Sequence, residues 1–143
     1  MKKQAFAVAV GLLFALAASV CHAQRPVLSV NVPFAFQVGD KALPAGDYQV
    51  QSMTAGDGQC VSIRQKDGGA LTIVSTMALD SRNARPEPEL VFHQYGNSYF
   101  LSQIWTGAAQ GRQLLESERE KEVARSEVTA NVALLAHPSS LTR

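Results

Sequence analysis

Chemistry-bearing residues are scarce in this chain: two cysteines, three histidines and one tryptophan in 143 residues. Charge is slight as well, with 13 basic residues against 12 acidic ones and a net charge of +1. No Lys/Arg cluster stands out, so the electrostatic footprint of a nucleic-acid or anionic-membrane partner is missing. Structural zinc takes four Cys or His ligands and catalytic zinc about three protein ligands, more than these scattered residues offer. Asp57, Asp67 and Asp80 lie outside any DxDxDG spacing of the kind that presents oxygens to calcium. Gly107 and Gly111 in TGAAQGRQ lack the Lys-Ser/Thr of a phosphate loop. These absences lead us to expect no catalytic residue, no cofactor and no metal.

Long apolar runs are also few: the sequence has one, at its start. Lys2 and Lys3 precede an apolar stretch from Ala5 to Val20, and small residues lead to the polar Gln24 and Arg25. This is the order of a secretory signal, and the run is shorter than the roughly 20 residues of a membrane-spanning helix. Cleavage after Ala23 places Cys21 and Ala23 where the peptidase takes small side chains. The alternative, a lipid-modified Cys21, fits Ala18, Ser19 and Val20 poorly. The expectation is a signal peptide over 1–23 and a single β domain over 24–143, exported to the periplasm or beyond the cell, with no integral membrane segment. Loss of Lys2 and Lys3 leaves 11 basic and 12 acidic residues, close to neutral.

Processing removes Cys21 and leaves Cys60 alone, so no intramolecular disulfide can form. Cys60 is then either a buried small apolar residue or an exposed thiol able to form an intermolecular disulfide. Its alternation with Ser62 and Arg64, against Val61 and Ile63, puts it on the more polar face and keeps a homodimer open.

What the mature region does contain is strand periodicity. Leu28, Val30, Val32, Phe34 and Phe36 share one parity, with Pro33 on the other. Leu43-Pro44-Ala45-Gly46 reads as a type I turn feeding a strand over 47–53. Strands follow over 60–66 and 70–77 around Asp67-Gly68, and the Pro-rich DSRNARPEPE from Asp80 to Glu89 reads as the longest loop.

The clearest hairpin is ELVFHQY and SYFLSQIW around Gly96-Asn97. Its register places Tyr95 opposite Ser98, His93 opposite Phe100 and Phe92 opposite Leu101. One face then carries Leu90, Phe92, Tyr99, Leu101 and Trp105, and the other Val91, His93, Tyr95, Phe100 and Ile104. Both faces are apolar, so both should be covered: by a second sheet on one side, and by a helix, a ligand or a partner chain on the other. Ser117-Glu118-Arg119-Glu120 is a capping box, supported by Glu118–Lys121 and Glu122–Arg125 pairs, and predicts a short charged helix from about 117. Residues 127–136 fit a strand or a helix; a final strand is the preferred reading, with a tail from about His137.

The fold class expected is all-β: a small antiparallel β-sandwich or flattened barrel of about six or seven strands, with one short charged α-helix near the C-terminus. The stretch VPFAFQVGDKALPAGDYQV (Val32 to Val50) and the pair LVFHQYGNSYFLSQIW and GRQLLESEREKEVAR (Leu90 to Arg125) resemble a family of small, largely uncharacterised exported bacterial proteins. The resemblance implies a compact β domain with a charged helix near its end, and it brings no functional residue with it.

Function follows by weighing what remains. A non-enzymatic exported binding or structural domain of unknown role is the favoured expectation, its partner unidentified, with a homodimer or another protein partner left open. One alternative is a carrier of a small apolar ligand, with His93, Phe100 and Trp105 as pocket candidates and Phe34, Phe36 and Tyr99 as further lining. A second alternative is a carbohydrate-active enzyme using paired carboxylates from Glu87, Glu89 or the Glu116–Glu122 stretch.

Overall fold

The computed structural model describes residues 27–53, 60–79, 82, 85–107 and 110–139. The signal segment, its cleavage point at Ala23 and the turn at 55–58 lie outside the described residues. Among the described residues eleven strands and one helix follow in the order β1 (Val27–Val32), β2 (Phe36–Val38), β3 (Lys41–Leu43), β4 (Gly46–Met53), β5 (Cys60–Gln65), β6 (Leu71–Ala78), β7 (Glu89–Tyr95), β8 (Ser98–Trp105), β9 (Gly111–Leu114), α1 (Glu118–Ala124), β10 (Thr129–Leu135) and β11 (His137–Ser139).

The strands form one large mixed sheet that is not closed, in the order β10-β7-β8-β9-β6-β5-β4-β1-β11, with β2 pairing β3 and β8. The expected six or seven strands become eleven for local reasons. The run from Leu28 to Phe36 breaks around Pro33, which has no N–H to give a ladder, and its second half forms a small hairpin with Lys41–Leu43. The purely antiparallel expectation fails at one place, where Gln37 of β2 pairs in parallel with Phe100 of β8. His137 is in β11 opposite Ser29, not in a loose tail.

Inward-facing side chains meet in one core. Leu28, Val30, Val32, Phe36, Tyr48, Val50, Val61, Ile63, Leu90, Phe92, Leu101 and Ile104 are all buried in it. Phe36 packs edge-on against both Tyr48 and Phe92, and Phe34 stacks on Tyr99 with centroids 3.9 Å apart. At the Pro44 turn the Tyr48 hydroxyl donates to the Pro44 carbonyl at 2.6 Å, tying the start of β4 to the turn that feeds it.

Register in the β7–β8 hairpin matches the expectation from Tyr95–Ser98 to Phe92–Leu101, with Gly96 at a φ of 57° in the turn. Beyond that pair the register shifts between Val91 and Phe92, so that Val91 faces Gln103, Leu90 faces Ile104 and Glu89 faces Trp105. An extra residue in one strand reverses the parity of everything after it. Ile104 therefore joins the core, whereas Trp105, expected beside Leu90, turns to the opposite face with Val91, His93, Tyr95 and Phe100.

Candidate functional site

Two outward regions of the sheet carry residues of interest, and they differ in how far they are covered. On β7 and β8 the outward side chains are covered. Val91, Tyr95, Phe100, Ser102 and Trp105 are buried, the last at 1% exposure. The Trp105 ring lies across Gly111 of β9, where an added Cβ would stand 2.5 Å from the ring, and its Nε1–H donates to Gln103 Oε1 at 3.0 Å. Phe100 packs edge-on against Tyr95. Of the three pocket candidates, Phe100 and Trp105 are thus packing residues whose surfaces are already occupied.

His93, the third, meets a group that sequence reasoning assigned elsewhere. The Ser117 hydroxyl caps α1 by accepting from the Glu120 N–H at 3.2 Å, as expected. The Glu120 carboxylate, expected to complete the capping box, instead points at the sheet: Oε1 lies 2.8 Å from His93 Nδ1 and accepts from the Tyr95 hydroxyl at 3.3 Å. Glu120 is 4% exposed, and a carboxylate so far from water needs such partners more than the helix end needs a second cap. Glu116 completes the group; one ligand atom each from His93, Glu116 and Glu120 lie within 4.8 Å of one another. Burial raises the Tyr95 phenol above its ordinary 10.0; a hydrogen bond from Thr129 opposes this, and the charges of Glu120 and Glu116 reinforce it. Part of the signal was in the sequence: His93 and Tyr95 share a strand face, and Glu116 and Glu120 flank the Ser117 cap, the first ahead of the helix and the second in its first turn. What was missing was the docking of α1 on that face.

The remaining carboxylates are tied up or solvated. Glu118 pairs with Lys121 at 2.7 Å on the exposed side of α1, whereas Glu122 and Arg125 form no ion pair among the described residues. Glu87 is exposed. Glu89, expected on a solvated loop, is instead buried at the start of β7, with Arg85 Nη1 2.6 Å from its Oε1, a charge contact without hydrogen-bond alignment.

The other outward face belongs to β4, β5 and β6, where opposed residues form rows: Gln49, Arg64 and Leu71; Gln51, Ser62 and Ile73; Met53, Cys60 and Ser75. Cys60 is half-buried here with a free thiol, on the face that alternation with Ser62 and Arg64 indicated. The polarity of β6 is inverted. Thr72 and Thr76 point inward and are buried, and the Thr72 hydroxyl has no hydrogen-bond partner among the described residues. Leu71, Ile73 and Met77 point outward at 43%, 57% and 51% exposure. A one-residue slip would bury the apolar set, yet pairing with β5 holds the strand the other way.

Depressions formed by the described residues are either small or lined by charge. One of about 230 Å³ lies on this same face among Gln51, Met53, Ser62, Arg64, Leu71 and Ile73. Another of about 180 Å³ lies between β2, β3 and the Gly96 turn. A broader one of about 650 Å³ is lined by Glu118, Arg119, Glu122 and Arg125, a charged helix face. Apolar ligand sites run to roughly 300–1,000 Å³ with mainly apolar walls, a combination that none of these three has. Among the described residues no helix is long and apolar enough to cross a membrane. No protein-family model matches the chain, and neither a curated protein nor a solved structure matches it.

Proposed function

We propose that the mature chain is an exported, non-enzymatic binding domain that docks a protein partner on the outward face of β4, β5 and β6. The observation that carries this reading is the inversion of β6. Among the described residues, Leu71, Ile73 and Met77 remain in water while Thr72 is buried with its hydroxyl unpartnered. Leaving a hydroxyl so costs about 1–3 kcal/mol, and exposing three large apolar side chains forgoes burial that a partner would restore. The exposed Arg64 beside the 230 Å³ depression fits a partner that presents an apolar side chain next to a carboxylate. On this reading the sheet is wrapped as a flattened, incompletely closed barrel, because β10 and β11, its two ends, are joined through Ala136 alone.

The test is a photo-crosslinking residue at Ile73 in the exported chain, expressed in bacteria that secrete it. A discrete adduct is expected at Ile73, lost when Leu71→Ser and Met77→Ser are added, and absent when the probe is moved to Glu122 on the charged helix face. An adduct of twice the chain mass identifies the partner as a second copy, and a disulfide at Cys60 would then be expected on oxidation. Equal labelling at Ile73 and Glu122, or none at either, overturns the proposal.

A further inference from the structure

We propose that His93, Glu116 and Glu120 bind a divalent ion of the zinc class, which clamps α1 and the segment before it onto β7. One donor atom from each lies within 4.8 Å of the others. Around a zinc ion, with bonds of about 2.0–2.2 Å, such donors stand roughly 3–3.5 Å apart, so an adjustment of about an ångström closes the site. His93 is held by its strand and Glu120 by its helix; Glu116 is exposed and free to make that adjustment.

Charge favours the ion. Glu120 is more than nine-tenths buried, and His93 is its ion-pair partner among the described residues. A histidine offsets a carboxylate's charge only while protonated; a divalent cation supplies two charges to two carboxylates irrespective of that. Ion binding needs the Nδ1 lone pair, so the imidazole proton would sit on Nε2. The Tyr95 hydroxyl, donating to Glu120 Oε1, is placed as the outer partner that orients a ligating carboxylate. One imidazole nitrogen with two carboxylate oxygens suits zinc, whereas calcium and magnesium take oxygen ligands in greater number. The site lies where Glu120 of α1 meets the outward side of β7 and is independent of the docking face proposed above.

Calorimetric titration of zinc chloride into the chelator-treated, processed chain carrying Cys60→Ser tests this. One ion per chain is expected, with affinity reduced at least tenfold by Glu116→Gln and by His93→Gln, and unchanged by His137→Gln. Loading with cobalt should give a visible absorption band that His93→Gln alters, and excess calcium should not compete. Because Glu116 is exposed, Glu116→Gln leaves the fold intact and decides the matter even if His93→Gln impairs folding. Absence of saturable binding, binding that survives Glu116→Gln, or binding abolished by His137→Gln overturns the proposal.

Discussion

The β7–β8 and β5–β6 hairpins both place apolar side chains on the outward face of the sheet, but only the first has that face covered. Over β7 and β8, α1 supplies a buried carboxylate to His93 and Tyr95, and Gly111 leaves room for the Trp105 ring. Over β5 and β6 nothing equivalent is present among the described residues, and Leu71, Ile73 and Met77 stay exposed. Apolar patterning alone therefore does not show whether a face is finished within the chain or left for something else. What decides it is whether other parts of the chain reach the face, as Gly111 does under Trp105 and Glu120 does beside His93.

That contrast can be broken most sharply by truncation on each side. Trp105→Ala should destabilise the fold by about 3–5 kcal/mol, whereas Ile73→Ala should change it by less than about 0.5 kcal/mol, both read from urea unfolding. Similar losses at the two sites would mean that β6 is covered after all. Gly111→Ala comes next: its Cβ must displace the Trp105 ring, for a loss of about 1–3 kcal/mol and an altered near-ultraviolet signal from the tryptophan. Thr72→Val removes a buried hydroxyl without a partner and should stabilise by about 1 kcal/mol; a loss instead would show that the hydroxyl is satisfied.

The smallest effect concerns pH. Tyr95 is held above its ordinary 10.0, chiefly by burial, so the folded chain stays protonated where the unfolded chain has begun to ionise. Its contribution is intact below pH 10 and is lost as pH rises through the folded-state value. Stability measured between pH 9 and pH 11 should decline less steeply in Tyr95→Phe than in the parent. Tyr48, also raised by burial and then by Asp67, adds a decline in the same direction that remains in that variant.

Local signals located most elements. The alternation of Leu28, Val30 and Val32, the Gly96-Asn97 turn and the Ser117 cap each act over a few residues and appear where those rules place them. The four-residue loop Lys66–Gly69 is longer than the tight turn expected of Asp67-Gly68, because Gln65 N–H bonds the Ala70 carbonyl and Asp67 Oδ1 accepts from Gly69 N–H. The candidate sites were less legible. His93 and Glu120 are 27 residues apart, and no periodicity joins a strand to a helix that docks on it.

Determined by the sequence itself, then, are the strand positions, the helix start and most of the β7–β8 register, since each depends on neighbours within one turn or one hairpin. Only the tertiary structure decided which face each side chain serves. A single extra residue in β8 sent Trp105 away from the core and Ile104 into it, and pairing with β5 turned the apolar side of β6 outward. Side-chain parity is set by ladder register, which is a property of two strands together and not of either one alone.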